Sequence, residues 1–240
     1  MRNPYLSIII PAHNEERRLP KAFLAIDDFL KGQKYAAEVI VVENGSHDAT
    51  SQVTRKFAKK YKYIKLIEVS TRGKGLAVKA GMLAAKGEYR FICDADLSMP
   101  IEELPKFLPP ETKGVDVAIG VREGKGANRV GEPFKRHLVG RAFNLIIKLT
   151  ILPSFEDTQC GFKMFTAGAA KELFSIQKLS GIGFDIELLY LARKKKLKVK
   201  EVPITWYFDA DSRMRLIQDS LKALLEIWQI RKAWWTGGYK

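Results

Sequence analysis

The chain has 240 residues, 46% hydrophobic and 28% charged, long enough to bury about 70% of its unfolded surface in a core and too apolar to stay disordered. Its 41 basic residues against 27 acidic ones leave a formal charge of +14, which favours a polyanionic partner: nucleic acid, anionic lipid or a phosphorylated substrate. The two cysteines, Cys93 and Cys160, with no C-x-x-C and no Cys/His cluster, exclude a disulfide scaffold and a structural zinc site, so a reducing, cytoplasmic environment is expected and both thiols read as small packing groups.

Through the first half, short β-branched runs alternate with helical patterns, the order of a mostly parallel sheet wrapped by helices. Strands are predicted at Tyr5–Ile10, Glu38–Val42, Ile64–Val69, Tyr89–Cys93 and Val115–Gly120. Helices are predicted over Glu15–Lys31, from near Asp48, over Lys74–Lys86 and from near Ile101. The segment 120–136, GVREGKGANRVGEPFKR, reads as a mobile, basic, Gly-rich loop. Longer helices follow at Phe134–Leu152, Gly168–Phe174, Phe184–Lys194 and Arg213–Trp235, interrupted by one strand at Val199–Thr205. No linker divides the chain, so 1–240 is expected to form one domain. The apolar stretch before Pro11 is too short for a signal peptide. The longest apolar region, Leu138–Leu152, carries Arg141, Asn144 and Lys148 and falls short of the ~20 residues that span a bilayer.

Open α/β sheets bind ligands outside the carboxyl ends of their strands, which directs attention to the loops PAHNEE, ENGSHDAT, TRGKG and DADLSMP. Asp94 and Asp96 leave one strand end with a small residue between them. Paired carboxylates in a loop suit Mg²⁺ or Mn²⁺, which take oxygen ligands and share phosphates; the same pair also suits loop solvation or helix capping. Arg72, Gly73, Lys74 and Gly75 open a helix, where backbone amides and cationic side chains together attract an anion. The spacing is neither the ATPase nor the dinucleotide fingerprint. Glu43, Asn44, Ser46 and Asp48 offer acceptors for a nucleobase or ribose, or a helix cap. His13 and His47 are read as local hydrogen-bonding groups, and Arg193–Lys200 as a solvated helix end.

Taken together, PAHNEE, VENGSHDAT, RGKG, DADLS and DTQCGFKMF occur in an order that resembles glycosyltransferase family 2, the inverting enzymes of the GT-A fold. DTQCGFKMF followed by FDIELLYLA and EVPITW is similar to the dolichyl-phosphate glucosyltransferase branch, with polyprenyl-phosphate mannose synthases as near relatives. The resemblance implies an open, mostly parallel twisted sheet with helices on both faces and C-terminal amphipathic helices, a nucleotide-sugar half at 1–120 and an acceptor and membrane half at 121–240. It places the donor against Pro11, Ala12, His13, Asn14, Glu15, Glu43, Asn44, Arg72, Gly73, Lys74, Asp94 and Ala95, with the metal on Asp94 and Asp96. The acceptor phosphate falls to Arg122, Arg136, Gln159, Lys163 and Arg213, and Asp157 is either a base or an orienting group. Where relatives carry Asp-Asp-Gly-Ser after the second strand, this chain has Glu43, Asn44, Gly45 and Ser46. In place of their Ser-Lys-Leu it has Ser212, Arg213 and Met214, which keeps charge but changes geometry.

The implied reaction is attack by a lipid phosphate on the anomeric carbon of a UDP-hexose, glucose before others, with GDP-mannose or a glycan acceptor as alternatives. A phosphate monoester has its second pKa near 6, so no general base is required. Peripheral association with the cytoplasmic face of a membrane is expected from two segments. One is 121–150, with seven Lys or Arg against two acids beside Phe143, Leu145, Ile146 and Ile147; the other is 213–235, where Ile217, Leu221, Leu224 and Trp228 precede Arg231, Lys232, Trp234 and Trp235. Packing of both stripes on the core is the competing reading. A nucleic-acid-binding module rests on charge alone and lacks a recognition motif or an aromatic platform.

Overall fold

The computed structural model of the chain describes residues 3–210 and 216–239, without the side chains of 216–221 and 223. Seven strands form one sheet in the order β3-β2-β1-β4-β7-β5-β8: β1 Leu6–Ala12, β2 Ala37–Glu43, β3 Ile64–Glu68, β4 Tyr89–Ile92, β5 Val117–Val121, β7 Lys163–Thr166 and β8 Val199–Pro203. All pairs are parallel except those of β7, which runs against both β4 and β5. A second, two-stranded sheet pairs β6 Asn128–Val130 with β9 Thr205–Tyr207 in parallel.

The first two strands read as near-continuous apolar runs because both faces of the sheet are covered there. Ile9, Ile40 and Val42 point into one core with α3 Lys74–Ala84, α5 Ala167–Ile176 and α6 Phe184–Lys194. Leu6, Ile8, Ile10, Val39 and Val41 point into the other, closed by α1 Leu19–Lys31, α2 Thr50–Lys60 and the 3₁₀ helix Ile101–Phe107. The last two helices are α4 Phe134–Thr150 and α7 Leu216–Trp235.

Four predicted elements change and one strand is new. The first helix starts at Leu19, not Glu15, with Pro20 at its first turn, where a missing N–H costs nothing. The helix near Ile101 is 3₁₀ and contains Pro105. Strand Val199–Thr205 is divided at Ile204 between two sheets. The loop 120–136 is not free: β6 lies within it and Glu123 accepts from Arg129 and His137, each at 2.8 Å. Strand β7 was not predicted at all; four residues carry no periodicity, and both its partners are distant in sequence. In the run 193–200, Lys195 pairs with Glu172 at 3.0 Å and Lys194 lies over Tyr190 and Trp234. Both cysteines are free and buried.

A buried carboxylate ties the amino-terminal end of this sheet. Glu38 on β2 accepts from Ser7 Oγ at 2.6 Å, Lys65 Nζ at 2.6 Å and the Lys86 amide at 2.7 Å. Burial raises its pKa, but these three donors outweigh burial and hold the carboxyl below its ordinary value. Glu38→Gln is expected to lose about 2 kcal/mol. Because the folded pKa lies below the unfolded one near 4.3, the stabilisation is complete above that value and lost as pH falls through the folded one. Urea midpoints should therefore converge between wild type and variant on acidification below about pH 4.

Candidate active site

The strand order reverses at β1, whose neighbours β2 and β4 lead to opposite sides of the sheet. A cavity of about 1080 Å³ opens there, outside the carboxyl ends of the strands, where α/β sheets place ligands.

One wall is loop laced to loop. The Asn14 amide donates to Ser46 Oγ (3.0 Å), the Glu15 amide to Thr50 Oγ1 (2.8 Å) and the Glu16 amide to Asp48 Oδ2 (3.1 Å). In return the His47 amide donates to Asn14 Oδ1 (2.8 Å) and the Ala49 amide to Glu16 Oε2 (2.9 Å). This mesh, with Asn14 at φ +56°, keeps Glu15 and Glu16 out of the helix predicted to begin there. Pro11, His13, Glu15 and Asn44 line the cavity. Ala12 and Asn14 do not, and neither does Glu43: Ala12 is inside the sheet, Asn14 is spent on the mesh, and Glu43 accepts the Ser46 amide. His13 Nδ1 lies 3.1 Å from the Asn44 carbonyl, a local hydrogen bond as expected.

Arg72, Gly73 and Lys74 form the floor with Asp94, Ala95 and Asp96. Gly73 and Gly75 are required by space: a Cβ on Gly73 would stand 2.6 Å from the Ser180 carbonyl, and one on Gly75 2.6 Å from that of Leu179. The Gly75 amide donates to Ser180 O at 2.9 Å, and Gln177 Nε2 donates to Gly75 O at 3.0 Å. The start of α3 is thereby docked on the turn before α6. Lys74 Nζ lies 2.7 Å from Asp94 Oδ1; although burial lowers its pKa, Asp94 and Asp185 outweigh burial and keep the ammonium charged. Burial, and then the neighbouring Asp94, push the Asp96 carboxyl up. Two carboxylates repelling each other in a phosphate-sized loop fit a divalent cation, with two protein ligands and the remaining positions left for phosphate and water. Among the described residues no third His, Cys, Asp or Glu joins them.

The opposite wall holds Arg122, Arg136 and Gln159. Arg122 grips Asp157 with Nε at 2.6 Å and Nη2 at 3.0 Å, a bidentate pair. Burial raises the Asp157 carboxyl, but Arg122 outweighs it and holds the group ionised below the usual carboxylate range. The side chain of Asp157 thus orients Arg122. Lys163 is corrected: it is 1% exposed, and its ammonium donates inward to Asp185 Oδ1 at 2.6 Å and the Cys160 carbonyl at 2.5 Å. Its ammonium is spent beneath the site, and the residue does not line the cavity. Arg213 lies outside the described residues.

The wall also contains groups not foreseen: Arg18 paired to Asp209 at 2.7 Å, Trp206, Asp185, and Lys222 and Glu226 from α7. Asp185 and Trp206 sit within the motifs FDIELLYLA and EVPITW, so their segments were visible though their roles were not. Arg18 and the α7 pair have no local signal, because they reach the cavity only through tertiary packing.

Gly161 of DTQCGF is a further unforeseen element. A Cβ there would overlap the Asp94 carboxylate. Gly161→Ala should displace Asp94 and weaken the binding of a divalent cation, probed with Mn²⁺, by about 10- to 100-fold, the loss typical when the surroundings of a metal ligand are disturbed. Calorimetric titration measures it; tight binding by a folded variant would refute this account of Gly161.

The profile of Glycosyl transferase family 2 matches residues 7–174. Dolichyl-phosphate beta-glucosyltransferase ALG5D of Trichomonas vaginalis is 33% identical over 251 residues, covering 95% of this chain and 76% of that protein. The dolichyl-phosphate beta-glucosyltransferase of Drosophila melanogaster is 37% identical over 216 residues, covering 84% of this chain and 66% of that one. A crystal structure of glucosyl-3-phosphoglycerate synthase from Mycobacterium tuberculosis, with Mn²⁺, UDP-glucose and phosphoglyceric acid, superposes with a TM-score of 0.67 at 17% identity, covering 95% of this chain and 79% of that one. At that identity the likeness establishes the fold, which is GT-A. The profile match over residues 7–174, together with relatives that align along nearly the whole chain, shows that this protein belongs to glycosyl transferase family 2.

Proposed function

We propose that the protein transfers glucose from UDP-glucose to a dolichyl-type polyprenyl phosphate at a membrane surface, with inversion at the anomeric carbon and release of UDP. The observation that carries this reading is one continuous cavity with carboxylates and Lys74 at one end and the Arg122–Asp157 pair and Arg136 at the other. The names of the relatives, and the Mn²⁺ and UDP-glucose in the neighbouring crystal structure, support the choice of substrates.

In this reading Pro11, His13, Glu15 and Asn44 receive the nucleoside, and Arg72, Gly73 and Lys74 the diphosphate. Asp94 and Asp96 would hold Mg²⁺ or Mn²⁺, whose chemistry is to neutralise the leaving diphosphate. Arg122, Arg136 and Gln159 receive the acceptor phosphate. One of its oxygens forms a bond to the anomeric carbon as the bond from that carbon to UDP breaks, and the electron pair leaves with UDP. The acceptor, with its second pKa near 6, arrives ionised, so Asp157 takes no proton and serves by orienting Arg122. Catalysis is then alignment plus charge neutralisation.

The lipid tail needs a surface. No described helix is long and apolar enough to cross a membrane. On α4 only Phe143 and Ile147 are buried, while Phe134 (76% exposed), Leu138, Leu145 and Leu149 (78%) stand in solvent. At ~100° per residue these four share an arc of about 60° opposite the buried pair. On α7, Ile227 and Ile230 are buried, whereas Leu225, Trp228 (62%) and Trp235 (73%) face outward, with Lys232 over Trp228 and Arg231 over Trp235. Arg231 also donates to the Thr150 carbonyl at 3.1 Å, joining the two helices. Each helix therefore carries two apolar stripes, one for the core and one outside, so the membrane and core-packing readings of the sequence apply to different residues. Apolar side chains flanked by bases suit an anionic bilayer interface.

Purified protein given a short polyprenyl phosphate and a panel of UDP- and GDP-sugars is expected to glucosylate the lipid from UDP-glucose alone, to stop with EDTA, and to lose about 100-fold or more in kcat with Asp94→Asn. Product from a GDP-sugar would replace the donor; undiminished turnover in EDTA would remove the metal. Sedimentation with phosphatidylglycerol vesicles should fall by about 10-fold or more for Leu149→Asp and for Trp228→Asp, each removing upwards of ~1.5 kcal/mol of apolar burial in lipid, at unchanged melting temperature. Unchanged sedimentation would leave both stripes without a membrane role.

A further inference from the structure

Strand β9 is three residues long, yet it is fixed on two sides. Its register on β6 pairs Thr205 with Asn128, Trp206 with Arg129 and Tyr207 with Val130, and the Phe208 amide donates to Val130 O at 2.9 Å. From the other side, the Tyr207 amide donates to Ser98 O at 2.7 Å, in the loop that carries Asp94 and Asp96. Side chains alternate along a strand, so Trp206 and Phe208 share a face, with ring centroids 6.1 Å apart, while Tyr207 is exposed.

Three guanidinium groups rest on those two rings. Arg122 and Arg129 each lie 5.5 Å from the Trp206 centroid, and Arg136 lies 5.2 Å from that of Phe208. Arg129 is further braced by Glu123 and Glu132. Trp206 lines the main cavity and also a side cavity of about 120 Å³ behind Arg122 and Gln159. A guanidinium laid on an aromatic face keeps its N–H groups in its own plane, directed edgewise, the attitude for fork-like binding of a phosphate. Arg122 has one edge fixed by Asp157 and lies over the Trp206 ring.

We infer that Trp206 and Phe208 are positioning residues for the acceptor: together they hold Arg122 and Arg136 edge-on to the acceptor phosphate, and β9 ties that pair to the carboxylate loop through the Tyr207–Ser98 hydrogen bond. The inference rests on the reading above that these two arginines receive the phosphate. It gives EVPITW a task in this chain, setting the distance between the two ends of the cavity, and it explains why a strand so short is bonded on both sides.

The test is steady-state kinetics with a short polyprenyl phosphate as the varied substrate. Trp206→Leu and Phe208→Leu are each expected to raise the acceptor KM about 5- to 30-fold, the worth of a partly desolvated cation–π contact, with the donor KM unmoved. Trp206→Phe, which restores an aromatic face, should recover most of that loss. In the Trp206→Leu background, Arg122→Lys should cost less than it does in the wild type, because the two residues act as a unit. Strict additivity, or a donor KM that rises in parallel with the acceptor KM, would overturn the inference. Arg136→Gln separates the two layers of argument. If it leaves the acceptor KM unchanged, the phosphate reading fails; if it raises that KM while the leucine variants do not, the aromatic positioning alone fails. Should Trp206→Leu melt below the assay temperature, Phe208→Leu and the Trp206→Phe/Arg122→Lys combination decide the matter by the same criteria.

Discussion

The site depends on one constraint, the antiparallel passage of residues 157–166 between β4 and β5. Because β7 runs against both neighbours, its approach lies at the carboxyl ends of the parallel strands, and Gln159 and Gly161 on that approach line the cavity. Asp157 reaches Arg122, Gly161 passes beneath Asp94 with no room for a side chain, and Lys163 reaches Asp185. A parallel strand here would enter from the opposite edge and leave the cavity without its arginine anchor.

Beneath the site, buried charge is met by opposite charge. Burying an ion costs several kcal/mol, recovered only with a close partner and satisfied hydrogen bonds. Lys163 with Asp185 and Arg122 with Asp157 meet this condition. Burial still pushes the Asp185 carboxyl up, ahead of the opposing pull of Lys163 and Lys74. The row Lys163, Asp185, Lys74, Asp94 alternates in sign from the core to the cavity floor. Glu187, one turn along α6, accepts the Lys178 and Leu179 amides at 2.8 and 2.9 Å and the Tyr239 hydroxyl at 2.7 Å, fixing the turn on which Gly73 and Gly75 rest. The excess positive charge lies outside the cavity, whose lining balances six bases against six acids; α4 alone carries four Lys or Arg and no acid.

Helix α7 links these regions. It sends Lys222 and Glu226 toward the cavity, packs Trp234 edge-on against Tyr190 at 5.9 Å, and joins α4 through Arg231. The same helix that lines the cavity therefore also bears the outward-facing tryptophans, so the surface proposed for lipid and the wall of the cavity belong to one element.

The sequence by itself determined the parallel core and the strand-end loops, because β-branched runs, helical periodicity and glycine turns are local signals that neighbouring residues carry. It also placed Asp94, Lys74 and Arg122 among the chemical groups, through motifs whose order is visible without a fold. Only the tertiary structure decided what those motifs touch. It turned Lys163 inward, since a lysine in a four-residue strand gives no sign of which face it takes. It withdrew Ala12 and Asn14 from the cavity wall, since their hydrogen-bond partners lie about 30 residues away, and Glu43, whose carboxylate turns back to the Ser46 amide. It brought Trp206 beneath two arginines that are 77 and 84 positions earlier in the chain. Contacts of that range follow from strand order and register, which a linear pattern does not encode.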